Sequence, residues 1–135
     1  MNSLSRIQRG RMSKPPRILC YGVEGIGKST FGSQAPKPIF IQCEDGLDEI
    51  ATDRFPLATS FDDVVAALTE LRNQQHDYES VVIDSADWLE RLVWDKLCAE
   101  HSVASIEQVA GGYSKGYTLA LGFWREGIDH LNELR

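Results

Sequence analysis

The residues best suited to chemistry lie in one run, Gly22-Val-Glu-Gly-Ile-Gly-Lys-Ser29, which matches G-x-x-x-x-G-K-[ST] in full. Its glycines allow the backbone to turn and to aim N–H groups at phosphate oxygens. Lys28 can reach the β- and γ-phosphates, and the Ser29 hydroxyl suits Mg²⁺. A glycine-rich turn with a chance lysine is the alternative. It is disfavoured because the run lies between an apolar segment and a helical one, as the motif requires.

The run therefore predicts a site for ATP or another nucleoside triphosphate with Mg²⁺. The helix that begins near Lys28 adds the positive end of its dipole, and Thr30 is placed to meet the α-phosphate. The residues expected to contact nucleotide are Gly22, Val23, Glu24, Gly25, Ile26, Gly27, Lys28, Ser29 and Thr30.

Two carboxylates follow apolar segments that read as strands. Asp84 ends the run Val81-Val-Ile83, and carboxyl ends of parallel strands form the ligand edge of a sheet. Asp84 is therefore a candidate to hold Mg²⁺ with Ser29, the alternative being a cap for the next helix. Glu44 follows the other strand and could act as general base towards water. Spacing alone favours the alternative, a solvated acidic loop, because Asp45, Asp48 and Glu49 lie nearby.

Strands and helices alternate in the sequence, which predicts a parallel sheet covered by helices. Strands are expected at 17–21, 38–42 and 80–83, each an apolar run bounded by turn residues. Helices are expected at 28–34 and from Ser60, a good N-cap, to about Gln74. A third helix is expected around Leu89–Leu97. A last one runs from Thr118, marked by Leu121, Trp124, Ile128 and Leu131.

Composition narrows the class of protein. A hydrophobic content of 42% favours a folded chain, and a net charge of −6 argues against a wholly basic nucleic-acid coat. Residues 1–17 nevertheless hold five of the 14 basic residues and no acid, which leaves nine basic against 20 acidic residues elsewhere. Residues 1–16 are expected to be a flexible basic leader, although such an arm could touch phosphate.

The cysteines, the apolar runs and the start of the chain indicate the cellular compartment and whether a membrane is contacted. The three cysteines lack CxxC spacing, which predicts reduced thiols in a cytoplasmic protein. No apolar run approaches the ~20 residues that a bilayer requires, so no membrane partner is expected. The start of the chain has arginines but lacks the apolar region of a secretory signal.

Three segments together resemble the RecA-like ATPase core. They are the phosphate loop, the run Phe40-Ile-Gln-Cys-Glu44-Asp-Gly-Leu-Asp48, and the run Val81-Val-Ile-Asp84-Ser-Ala86. The chain is most similar to short AAA-type ATP-binding proteins of phages, some of which are considered single-strand annealing proteins or minimal recombinases. The resemblance implies a three-layer α/β fold with a mainly parallel sheet over residues 17–135. It also implies Glu44 as catalytic base beside Lys28, and Asp84 as the Walker B aspartate.

The resemblance further implies a strand between the phosphate-loop strand and the Walker B strand. The chain stops at Arg135, where that strand is due, which predicts a partial domain lacking its later strands. RecA-like ATPases usually place nucleotide between subunits, so a homo-oligomer is expected.

The glycine-rich stretch before the last helix lies where RecA-like proteins place their first DNA-binding loop. Tyr113 and Tyr117 could stack on bases of single-stranded DNA, and Lys115 could meet its backbone. The alternative is a helix connection with two packed tyrosines.

The favoured function is a Mg²⁺-dependent ATPase in phage or bacterial DNA recombination, annealing or repair. Two alternatives stay open. A small-molecule kinase is the first, although no arginine-rich lid is visible. A truncated nucleotide-binding fragment that does not hydrolyse ATP is the second.

Overall fold

The computed structural model describes residues 3–135 and has the expected alternation of strands and helices. Short 3-10 turns occupy Ser3–Arg6 and Ile106–Gly111. Within residues 3–135, no helix combines the length and the apolar character that crossing a membrane requires. The main elements are α1 (Lys28–Ser33), β1 (Pro38–Gln42), β2 (Asp53–Arg54), α2 (Phe61–Asn73), β3 (Ser80–Asp84), α3 (Ala86–His101) and α4 (Lys115–Glu133).

The three strands form one parallel sheet in the order β2-β1-β3. Strand β1 is central, and its register pairs Ile39 with Val81 and Ile41 with Ile83. The parallel sheet and two of the predicted strands are thus confirmed. Strand β2 was not predicted, because its two residues, an aspartate and an arginine, carry no apolar pattern.

The strand predicted at 17–21 is wrong for this structure. Ile18, Leu19 and Tyr21 are 69%, 80% and 87% exposed, and the segment lies outside the sheet. A strand persists only where a neighbour accepts and donates its backbone hydrogen bonds. Within residues 3–135, β3 pairs only with β1, so no strand links the free edge of β3 to this segment.

Helices cover both faces of the sheet. Ile39 and Ile41 point to the main core, which α2, α3 and α4 complete. Phe40 and Val82 point the other way, towards α1. A Cβ on Gly32 of α1 would lie 3.0 Å from a methyl of Val82, so this close approach favours glycine. Helices α2, α3 and α4 therefore cover one face of the sheet, and the short helix α1 approaches the other face at Gly32.

Helix α2 begins as its sequence predicts. The Ser60 hydroxyl accepts a hydrogen bond from the Asp63 N–H at 3.1 Å, which confirms Ser60 as the N-cap. The Asp63 carboxylate accepts in return from the Thr59 N–H at 2.9 Å and from its hydroxyl. These bonds lower the pKa of Asp63.

Helix α4 differs from its prediction in start and in buried face. It begins at Lys115 rather than Thr118, and its fully buried positions are Gly116, Ala120 and Gly127. Leu121 and Ile128 are 48% and 45% exposed. Trp124 and Leu131 of the predicted stripe are half-buried against the core. The small residues face the core because they let α4 approach its neighbours closely.

Candidate nucleotide-binding site

The phosphate loop owes its turn to two of its glycines. Gly25 and Gly27 have φ angles of +77° and +106°, in the left-handed region that other residues enter only at a cost. The Ile26 N–H donates to the Val23 carbonyl, and the Phe31 N–H donates to the Gly27 carbonyl at 2.9 Å. The second bond starts α1 immediately after the loop. Helix α1 therefore begins where the motif predicts it.

The Lys28 side chain folds back over this loop. Its Nζ donates to the Gly22 carbonyl at 2.8 Å and to the Val23 carbonyl at 2.9 Å. No carboxylate in the described part of the chain pairs with Lys28. An ammonium held by neutral carbonyls keeps its charge uncompensated, and it can therefore bind an anion entering the loop. The side chains of Val23, Glu24, Ile26 and Thr30 are exposed around it.

Ser29 and Asp84 meet although they are 55 residues apart. The Ser29 hydroxyl, in the first turn of α1, donates to the Asp84 carboxylate at the end of β3, with an O···O distance of 2.5 Å. A hydroxyl and a carboxylate in contact are the oxygen ligands that Mg²⁺ prefers. The N-cap of α3 is Ser85, not Asp84. The pair therefore fits a Mg²⁺ site better than the capping alternative.

Glu44 lies at the same edge of the sheet. The Cys43 N–H donates to the Asp84 carbonyl at 2.7 Å, which ties the carboxyl ends of β1 and β3 together just before Glu44. The thiol of Cys43 is buried, and burial raises its pKa to about 12, with further increases from the negative charges of Asp84 and Glu44. The negative charges of Asp84 and Glu44 thus both act on the buried Cys43 thiol. Residue spacing predicts no role for Cys43, since a lone cysteine carries no pattern.

A cavity opens on the α3 side of Glu44. Its volume is about 570 Å³, and Glu44, Asp45, Trp88 and Arg91 are among the residues that line it. The Arg91 guanidinium lies 4.2 Å from the centre of the Trp88 ring, a cation–π contact. The phosphate loop does not line this cavity. Glu44 therefore faces space that a water or a neighbouring group can enter.

The structure separates the three residues predicted to contact DNA. Tyr113 is 93% exposed with a φ of +56°, and Lys115 is exposed at the start of α4. Tyr117 turns towards the protein. Its hydroxyl donates to Glu107 at 3.4 Å, and its ring packs edge-on against Trp94. Tyr113 and Lys115 are thus both open to solvent two residues apart, whereas Tyr117 is 38% exposed and contacts Glu107 and Trp94.

Comparison with known proteins places this geometry in a family. A model of the AAA domain matches residues 14–135. The SPbeta prophage-derived uncharacterized protein YorG of Bacillus subtilis (strain 168) is 25% identical over 113 residues, covering 81% of this chain and 32% of that protein. The chain thus spans about a third of that relative's length. No solved structure matches the chain. Because the family match runs from before the phosphate loop to Arg135, the chain belongs to the AAA-type P-loop ATPase family.

Proposed function

We propose that the chain binds ATP with Mg²⁺ and hydrolyses it, in phage or bacterial DNA recombination, annealing or repair. The contact between Ser29 and Asp84 carries the nucleotide part, because it joins the phosphate loop to a carboxylate at the sheet edge. The AAA domain and the prophage-derived relative support an ATPase from a phage setting. The DNA role depends on the resemblance of the three motifs to RecA-like ATPases.

The proposed mechanism assigns one task to each group. Lys28 and the loop N–H groups stabilise the negative charge of the β- and γ-phosphates. Ser29 and Asp84 would hold Mg²⁺, which when bound would supply positive charge against the phosphates. Glu44 orients the attacking water and accepts its proton. A second copy of the chain would supply a cation at the nucleotide, which makes the working form a homo-oligomer.

The proposed DNA contact is the surface of Tyr113 and Lys115. An aromatic ring that is 93% exposed can stack on an unpaired base, and a neighbouring ammonium can meet the phosphate backbone. Tyr117, whose ring contacts Trp94, would support Tyr113 and Lys115 rather than stack on a base itself.

Two variants test the nucleotide site. Lys28→Ala should weaken ATP binding by about 10- to 100-fold, the range expected for hydrogen bonds to charged groups. Arg125→Ala, which removes an exposed cation of α4, is the control and should bind ATP normally. Calorimetry or a fluorescent ATP analogue measures both. Equal affinity in Lys28→Ala and wild type would refute the site.

Turnover tests the role of Glu44. Glu44→Gln should bind ATP as wild type does and release phosphate on the order of 10²-fold more slowly, the scale for loss of a general base. Asp45→Asn is the neighbouring control and should retain turnover. Normal hydrolysis by Glu44→Gln would return Glu44 to the solvated-loop interpretation.

One observation favours a second candidate, nucleotide binding without turnover. Residues 17–21, which lead into the phosphate loop, lie outside the sheet, so the loop lacks the support of a paired strand. ATP binding with no phosphate release from wild type, with or without single-stranded DNA, would establish this second function.

A further inference from the structure

The leader together with Arg17, which directly follows it, carries a strong local positive charge. Its five cations are spread over 12 residues with no carboxylate among them: Arg6, Arg9, Arg11, Lys14 and Arg17. Every residue from 3 to 17 is exposed. The segment is therefore an accessible line of positive charge on an otherwise acidic protein.

These cations have no carboxylate partner in the structure. The ion pairs within residues 3–135 join Arg72 with Glu133, Lys96 with Asp62, and His130 with Glu126. Arg17 donates its hydrogen bond to the neutral side-chain oxygen of Asn132. Of the 20 acidic residues of the chain, none forms an ion pair with these cations within residues 3–135. Their charge is available to an anion from outside.

The leader is attached to the protein near one end. The Arg17 guanidinium donates to Asn132 at 2.8 Å, and the Arg135 guanidinium donates to the Pro15 carbonyl at 2.8 Å. Both contacts lie at the C-terminal end of α4. Between the turn at Ser3–Arg6 and this attachment, the chain has no helix or strand. Extended chain covers at most about 3.6 Å per residue, so these cations can follow a ligand over roughly 40 Å.

We infer that residues 6–17 bind the phosphodiester backbone of a nucleic acid without reading its sequence. A series of exposed cations without carboxylate partners, in a segment that has no helix or strand after Arg6, suits a linear polyanion, whose binding releases condensed counterions. A membrane surface fits less well, since surface-bound segments are usually amphipathic helices with aromatic anchors and this leader has neither. The inference shares only the nucleic-acid partner with the proposed function, and it does not depend on ATP hydrolysis.

The salt dependence of binding tests the inference. Wild type should bind a labelled oligothymidine with an affinity that falls steeply between about 50 and 200 mM salt. Arg9→Gln/Arg11→Gln should lower the log–log slope by about 1.4, since each single-strand phosphate contact contributes about 0.7. At ~100 mM salt this corresponds to about 25-fold weaker binding. A duplex of the same length, for which each contact contributes about 0.9, distinguishes double-stranded from single-stranded DNA.

Lys37→Gln/Arg125→Gln is the matched control, because it removes two exposed cations from outside the leader. This control should keep the wild-type slope. The inference is overturned if the leader variant also keeps that slope, if the control loses as much, or if wild type binds neither DNA at low salt. Tighter binding to vesicles rich in phosphatidylserine than to either DNA would assign the leader to membranes instead and overturn it too.

Further variants separate this inference from the proposed function. The leader variant should keep wild-type ATP affinity, whereas Lys28→Ala should lose ATP affinity and keep the salt slope. Tyr113→Ala should weaken single-strand binding with little change in slope, because it removes stacking rather than charge. If the Arg9→Gln/Arg11→Gln variant keeps the wild-type salt slope while Lys28→Ala and Tyr113→Ala behave as expected, the role of the leader in binding is rejected and the proposed function is not.

Discussion

At the scale of single residues, the site depends on side chains that the chain brings together from distant positions. Ser29 and Asp84 were each predicted from a separate motif, and the structure places their oxygens in hydrogen-bond contact. That pairing could be expected, because both the loop and the carboxyl end of a parallel strand belong to the ligand edge of a sheet. The hydrogen bond from Lys28 to the Gly22 carbonyl could not be predicted from the sequence, since it depends on the path of the loop backbone.

Cys43 shows what residue patterns cannot predict. It carries no motif, yet it lies between the ends of β1 and β3 and has both site carboxylates as electrostatic neighbours. Burial and these charges raise the pKa of its thiol from 9.0 to about 12. This pKa depends on the fold alone, because in the unfolded chain the same thiol would be solvated.

The pKa predicts which cysteine reacts. At pH 9.0, the ordinary pKa of a thiol, Cys43 stays protonated and buried, so iodoacetamide should label exposed Cys20 far faster. The unfolded thiol ionises near pH 9.0 and the folded one only near 12, so this contribution to stability is complete below pH 9 and is lost as the pH rises towards 12. Mass spectrometry of labelled peptides measures the rates.

A matched pair of proteins controls that labelling experiment. Cys20→Ser should remove the fast label and leave Cys43 slow, and denaturant should make Cys43 reactive in both proteins. Native Cys43 that reacts as fast as Cys20 would contradict the assigned burial and charge.

At the scale of elements, α4 shows why a correct helix can be assigned an incorrect buried face. Its large apolar residues repeat with helical spacing and so predict the core stripe. The structure instead buries Gly116, Ala120 and Gly127 most deeply. Hydrophobic patterns treat glycine as neutral. They therefore miss a buried helix face whose small residues let the helix pack closely against its neighbours. The half-exposed side chains of Leu121 and Ile128 are the consequence.

Gly116 provides a test of this close approach. A Cβ added at Gly116 would clash with the Ile106 carbonyl oxygen and would lie 3.0 Å from the Cβ of Val109. The Ile106 carbonyl oxygen belongs to the backbone and cannot move aside as a flexible side chain can. We therefore expect Gly116→Ala to lower the free energy of unfolding by about 1–3 kcal/mol, the usual range for overpacking. Urea denaturation followed by circular dichroism measures the change.

Gly122 is the control within the same helix. A Cβ there meets nothing within 4 Å, so Gly122→Ala should raise the free energy of unfolding by about 0.5–1 kcal/mol through helix propensity. If both substitutions stabilised the protein, the packing of α4 against Ile106–Gly111 would have to be revised.

At the scale of the whole molecule, the sequence predicted the parallel sheet and its helical layers but not which strands would pair. Residues 17–21 have the composition of a buried strand. Whether they form one depends on an adjacent strand that can exchange backbone hydrogen bonds with them, and their own composition does not determine this. Strand β1 has a partner on each side, whereas β3 has one, and residues 17–21 have none within the described chain. The phosphate loop is therefore fixed mainly through α1, its contact with Asp84, and the packing of Gly32 on Val82.

This arrangement predicts a gradient of backbone protection across the molecule. Local opening ranges from nearly no free-energy cost in unpaired segments to the full unfolding free energy in core strands. Amides of residues 17–21 should exchange hydrogen at nearly unprotected rates, while those of β1 exchange slowest, because β1 is paired on both sides and buried. Mg²⁺ with ATP should slow exchange at residues 22–30, where loop N–H groups would bind phosphate. Exchange followed by mass spectrometry measures all three regions, and Lys28→Ala should show the same gradient without the nucleotide effect. Protection of residues 17–21 equal to that of β1 would contradict the sheet order β2-β1-β3.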